Sequence, residues 1–188
     1  MTEKEKCAAG LLYNANYDKE LIQERIACKD LCQEYNELKN SDTEKRGELL
    51  RRILGRVKEN ICIEPSFWCD YGYNIEVGDN FYANHNLVIL DCAKVEFGDN
   101  VFIGPNCSFY TAGHPLDAKK RNEGLEYAHP IKLGDNVWLG GNVVVLPGVS
   151  IGSNSVIGAG SVVTKDIPEN VVAVGNPCKV VKNIVEQD

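Results

Sequence analysis

Long apolar runs are missing from this 188-residue chain. A membrane-spanning helix needs about 20 consecutive apolar residues, and no stretch approaches that length. The amino-terminal MTEKEKCAAG interleaves acids and lysines and holds no apolar core of the kind a secretory signal carries. The expected address is therefore the cytoplasm, with no membrane contact. Positive charge is also scarce: 20 Lys and Arg stand against 27 Asp and Glu, a formal charge of −7, so the cationic footprint of a nucleic-acid binder is absent. Paired cysteines are lacking as well. Cys7, Cys28, Cys32, Cys62, Cys69, Cys92, Cys107 and Cys178 are scattered without one C-x-x-C, which argues against a disulfide framework and for reduced, packed thiols.

What is present is a hydrophobic share of 44%, enough for one good core at this length. Residues 1–60 read as a helical segment. Asp18 can cap a helix whose apolar side runs through Leu21, Cys28, Cys32 and Tyr35, with Ile22, Ile26, Leu31 and Leu38 widening the stripe. Ser41 and Glu44 stand in capping-box spacing ahead of a second stripe, Leu50, Ile53, Leu54 and Val57. Two amphipathic helices cannot bury their stripes alone, so they need a surface to lie against.

From residue 61 to 188 a different period takes over. Val77, Ala83 and Ile89 fall six apart, with Phe81, Leu87 and Ala93 four positions after each. The frame slips by two and resumes at Phe97, Ile103 and Phe109, with Val101 and Cys107 in the plus-four places. It returns as Leu133, Leu139, Val145, Ile151, Ile157 and Val163, accompanied by Val137, Val143, Val149, Ser155, Ser161 and Ile167. Neither the 3.6-residue helix period nor the alternation of a strand produces a repeat of six. Short flats separated by Gly, Asp and Asn corners do, because these residues tolerate positive φ: VGDN, FGDN, LGDN and IGSN mark such corners. Three flats per coil would turn the aliphatic and plus-four residues inward, giving a mainly β chain folded as a parallel β-helix of triangular section. The tail after Ile167 reads as a Pro-bounded loop and a short end segment.

The beat stops at TAGHPLDAKKRNEGLEYAHP, residues 111–130. A loop of about 20 residues inside a compact domain is uncommon and, when real, usually functional. His114 stands at its root, beside the last regular flat, where rigid scaffold can hold a catalytic group.

The repeats over residues 61–175 resemble the hexapeptide-repeat acyltransferases, whose β-helix is left-handed. The run TAGHPLD, RNEGLEY and PIKLGDNVWLGG, with AGLLY, EPSFWCDYGYNI and NFYANHN elsewhere, resembles the maltose and galactoside O-acetyltransferase group across nearly the whole chain. The resemblance implies transfer of acetyl from acetyl-CoA to a sugar hydroxyl within a homotrimer. It implies His114 as general base and Glu126 as the residue that orients it or holds the acceptor. A neutral imidazole suits the first task, since its unperturbed pKa of about 6.5 lies near neutrality. On the acceptor side it implies Asp70, Asn84 and Asp91. Asp18 is the nearest match to a further acceptor aspartate, and helix capping explains it equally. On the coenzyme side it implies Trp138, Gly141, Ala159, Thr164 and Lys165, with Lys179 and Lys182 near the phosphates. At Gly141, where some relatives have serine, only the backbone N–H is available to an oxyanion. No metal is expected.

Three other readings compete. A non-sugar alcohol, such as an antibiotic, would use the same base and donor. A zinc enzyme of the γ-carbonic-anhydrase type would need three histidines, and His85, His114 and His129 are the chain's only ones. A non-catalytic β-helix scaffold would give no reason for the motif loop to be intact.

Overall fold

Three columns of short parallel strands wind around one apolar interior in the computed structural model, which describes residues 1–185. The first face stacks Phe67–Cys69, Leu87–Leu90, Ser108–Tyr110, Val144–Val145 and Val162–Val163. The second stacks Arg56–Val57, Ile75–Val77, Val95–Phe97, Ile131–Leu133 and Ser150–Ile151. The third runs from Cys62–Ile63 through Tyr82–Ala83, Phe102–Ile103, Trp138–Leu139 and Val156–Ile157 to Val171–Val174. The chain visits the second, third and first faces in turn, forming a left-handed β-helix of about 6 turns. Its first coil begins at Arg56, slightly before the expected start at residue 61.

The repeat positions explain the winding. Every aliphatic and plus-four residue named above is at most 5% exposed, apart from the half-buried Ala93. Burying each large apolar side chain contributes about 1.5–3 kcal/mol. The two serines in the series stay satisfied: Ser155 Oγ donates to the Pro168 carbonyl at 2.9 Å, and Ser161 Oγ accepts from the Gly175 N–H at 3.0 Å.

Of the Gly, Asp and Asn expected at the corners, asparagine does the turning in the repeated GDN and GSN corners. Asn80, Asn100, Asn136 and Asn154 carry the positive φ, at 55–60°, whereas Gly78 and Gly98 do not. The glycines are needed for close stacking, because a Cβ on Gly78 would sit 2.4 Å from the Gly98 carbonyl oxygen one coil away. Each corner asparagine also donates its Nδ2 to the next one's Oδ1, forming a ladder from Asn60 through Asn80, Asn100, Asn136 and Asn154 to Asn170 at 2.9–3.2 Å.

Among the described residues, four helices accompany the coil: α1 (Glu3–Ala8), α2 (Lys19–Glu37), α3 (Thr43–Ile53) and α4 (Ala118–Asn122). Asp18 caps α2 by accepting from the Leu21 N–H at 2.9 Å. The buried side of α2 is Leu21, Cys28, Cys32 and Tyr35, as the stripe predicts, although Ile26 is 55% exposed and outside it. Helix α2 covers the first coil, where Asn36 bonds both the N–H and the carbonyl of Phe67 at 2.8 and 2.9 Å. The capping box at Ser41 and Glu44 does not form. Helix α3 starts one residue later, after Asp42, so Ser41 lies outside the cap position and no side chain caps the helix.

At the far end the predicted loop is instead a hairpin: Val171–Val174 turns back antiparallel onto Lys179–Asn183. Residues 186–188 of the expected carboxy-terminal region lie outside the described residues. No helix among the described residues is long and apolar enough to cross a membrane.

Candidate active site

The excursion over residues 111–130 is ordered secondary structure. Leu125–Ala128 pairs antiparallel with Ala112–Gly113 on one edge and with Tyr13–Asn14 on the other, so the amino terminus supplies the third strand. Helix α4 spans the hairpin's far end, capped by Asp117 accepting from the Lys120 N–H at 2.9 Å. Thr111 locks the root: its buried hydroxyl donates to the Leu90 carbonyl at 2.6 Å and accepts from the Ala93 N–H at 2.9 Å.

This small sheet brings His114 and Glu126 together. His114 Nδ1 lies 3.0 Å from the Leu125 carbonyl oxygen, and Nε2 lies 3.9 Å from Glu126 Oε1. A carbonyl oxygen only accepts, so Nδ1 carries the proton and Nε2 keeps its lone pair in the neutral ring. The imidazole is half exposed, while Glu126 is 14% exposed. Glu126 Oε2 accepts from the Tyr13 hydroxyl at 3.1 Å, and Tyr13 is itself buried. Burial pushes the Tyr13 phenol well above its usual range, so it remains a donor.

Asp70, Asp91 and Cys92 occupy neighbouring coils on the same side, where the first face ends. Asp91 Oδ1 accepts from the N–H groups of both Asp70 and Tyr71 at 2.9 Å. Burial raises the Asp91 carboxyl to about 6, opposed by the Tyr71 N–H. Asp91 is 0% exposed, which places it behind Asp70 as backbone support and away from open space. Asp70 is only partly buried; desolvation raises its carboxyl, and the Lys29 and Arg25 cations pull it back. Cys92 Sγ faces Asp70 Oδ2 at 3.8 Å. Arg25 braces the surroundings, donating to the Tyr71 hydroxyl and the Ala15 carbonyl at 2.6 Å each.

A separate groove of about 540 Å³ lies on and beside the third face, lined by Tyr82, Asn84, Phe102, Pro105, Trp138 and Gly141 among others. It unites three predicted residues, Asn84, Trp138 and Gly141. Trp138 and Phe102 are paired across strands and are 56% and 50% exposed, an apolar shelf that a solitary chain leaves in water. Ala159 stacks one coil beyond, because a Cβ on Gly140 would come within 2.7 Å of its amide nitrogen. Thr164 and Lys165 are exposed after the last strand of the first face. Lys179 and Lys182 lie exposed on the final hairpin strand. One chain thus holds the groove at one edge of the first face and His114 at the other. Asp18 makes its bond to the α2 backbone.

The sequence reading assigned no role to Tyr13 or Cys92. Tyr13 ends the AGLLY motif, but only the pairing of Tyr13 with Glu126 across two strands reveals its contact. The three histidines do not converge. His85 Nδ1 meets the Pro65 carbonyl at 2.5 Å, and His129 is stacked beside Tyr127. Among the described residues, the one group of three or more metal-competent side chains consists of cysteines.

A left-handed coil of hexapeptides carrying a histidine on an excursion defines a hexapeptide-repeat acyltransferase. Residues 6–58 match the maltose acetyltransferase hexapeptide capping motif, and residues 130–165 match the bacterial transferase hexapeptide of six repeats. The chain is 46% identical to the galactoside O-acetyltransferase of Escherichia coli over 188 residues, covering 100% of this chain and 92% of that protein. The solved maltose O-acetyltransferase from Clostridium difficile is 55% identical, superposes with a TM-score of 0.97 and matches 99% of each chain. A hexapeptide-repeat acetyltransferase from Vibrio cholerae, solved with acetyl coenzyme A, is 36% identical with a TM-score of 0.90 and covers 99% of this chain and 100% of that one. The chain belongs to the acetyltransferases of the maltose and galactoside O-acetyltransferase type.

Proposed function

We propose that the protein transfers acetyl from acetyl-CoA directly to a sugar hydroxyl, with His114 as general base. The observation carrying this reading is the bond from His114 Nδ1 to the Leu125 carbonyl, which leaves Nε2 free to accept a proton. Nε2 takes the proton of the acceptor hydroxyl as its oxygen attacks the thioester carbonyl. A C–O bond forms, the C–S bond breaks, and the proton passes from His114 to the departing CoA thiolate. General-base help of this kind is worth on the order of 10²–10⁴ in rate. Glu126, 3.9 Å from Nε2, stabilises the imidazolium while it exists. The Gly141 backbone N–H serves the oxyanion.

Acetyl-CoA lies in the groove, its pantetheine arm against Trp138, Gly141 and Ala159, and its phosphates toward Lys179 and Lys182. The aromatic shelf fits an apolar arm and the lysines fit anionic ends. Groove and base occupy opposite edges of one face, so one chain's groove meets another chain's His114, and the homotrimer is the assembly that the family resemblance implies. Asp70 and Asn84 bind acceptor hydroxyls, a carboxylate accepting and an amide doing both. The eight free thiols suit the reducing cytoplasm.

A thiol-release assay over sugars, amino acids and antibiotic alcohols tests the acceptor class. Turnover with a sugar as preferred acceptor supports the reading. Preference for a non-sugar alcohol replaces the acceptor, and no acetyl transfer to any acceptor points to a scaffold.

A further inference from the structure

Three thiols that the active site does not use meet where α2 covers the first coil. Cys28 and Cys32 stand four residues apart on the buried side of α2, and Cys69 comes from the strand beneath. Their sulfur atoms all lie within 4.8 Å of one another, with 3.5 Å from Cys28 to Cys69 and 3.7 Å from Cys32 to Cys69. Thiolates around a tetrahedral zinc at about 2.3 Å stand roughly 3.8 Å apart, so little movement would close this triangle on an ion. Packing alone brings two sulfurs to this distance. It calls for no third sulfur.

Asp91, a buried carboxylate on the neighbouring coil, stands outside this group of sulfurs, its oxygens not all within 4.8 Å of the three. Lys29 supplies a cation beside Cys32.

We propose that Cys28, Cys32 and Cys69 bind a thiophilic d10 cation, clamping α2 to the first coil. Each ligating thiol gives its proton to solvent, so affinity falls as pH drops. Three thiolates suit trigonal monovalent copper, and zinc would complete its tetrahedron with a water.

The full chain, purified without chelator and also refolded with Zn²⁺ or with Cu⁺ under reductant, is tested for bound metal by mass spectrometry. About one ion per chain is expected, with a raised Tm and, after cobalt exchange, a sulfur-to-cobalt charge-transfer band. Cys28→Ala and Cys69→Ala should lose the ion, while Cys107→Ala, at a buried thiol outside the cluster, should keep it. If an alanine variant fails to fold, the cobalt band of the unaltered chain decides by its presence or absence. Less than about a tenth of an ion per chain under all three conditions overturns the site. So does a Cys28–Cys69 disulfide in the purified protein, or retention of metal by the Cys28 and Cys69 variants at the level of the unaltered chain.

Discussion

His114 Nδ1 stands 3.0 Å from the carbonyl oxygen of Leu125, a residue on the returning arm of the same hairpin. The ring is thereby oriented by backbone at Nδ1, which leaves Nε2 as the acceptor of the neutral imidazole.

Replacing His114 with Ala should cut turnover by about 10²- to 10⁴-fold. The side chain is 46% exposed, so thermal stability and acetyl-CoA affinity should stay close to the unaltered protein. Steady-state thiol release together with calorimetric titration of CoA checks both halves. Equal turnover in the two proteins would remove His114 from the mechanism.

Tyr13→Phe keeps the buried ring and deletes only the hydroxyl that holds Glu126. A fall in kcat of several-fold, with KM for acetyl-CoA unchanged, is expected from losing one hydrogen bond worth about 0.5–1.5 kcal/mol. Glu126→Gln should lower kcat further, because it removes the charge that stabilises imidazolium. Similar kcat values for all three proteins would limit this contact to a structural role.

Trp138→Ala should raise KM for acetyl-CoA by about 2- to 12-fold, the range that an aromatic contact of 0.5–1.5 kcal/mol gives. Its 56% exposure predicts little loss of stability in the isolated chain. Lys179→Ala with Lys182→Ala should raise the same KM and flatten its salt dependence, since exposed charges act through a screened field. Sedimentation of the Trp138→Ala protein reports whether the shelf also contributes to self-association.

The asparagine ladder predicts a graded stability series. Asn100→Ala loses bonds to Asn80 and Asn136 and forces alanine into a φ of 56°. The combined cost should be roughly 2–3 kcal/mol, most of it backbone strain. Asn100→Gly removes the same bonds without that strain and should cost about 1 kcal/mol. Urea unfolding midpoints for the two variants should therefore differ clearly.

The six-residue beat made the coil legible because inward burial is a local, repeated demand that each unit states again. Val77 or Leu139 could be read without knowing its neighbours. The break before His114 was legible for the same reason, as an absence of that demand. What escaped depends on chain segments far apart. Tyr13 meets Glu126 over more than a hundred residues of sequence, and nothing near Tyr13 marks it as a strand. Asp91 looks like a surface acid in LDC, yet it lies buried under the Asp70 turn. Gly, Asp and Asn are equally plausible turning residues in the repeat, and only the close approach of neighbouring coils shows that Gly78 and Gly98 serve packing while the asparagines turn, because that approach leaves no mark within a single repeat. Ser41 and Glu44 had capping-box spacing, but the helix began one residue late.

The rungs of the asparagine ladder also count residues. Successive partners are 20, 20, 36, 18 and 16 positions apart, and the 36-residue step contains the whole His114 hairpin. Strand Ile131–Leu133 still pairs with Val95–Phe97 as though nothing intervened. The hairpin is therefore an insertion, spliced into one turn of a spool that keeps its gauge. The register of the coil fixes where its two ends stand and leaves the length of chain between them unconstrained.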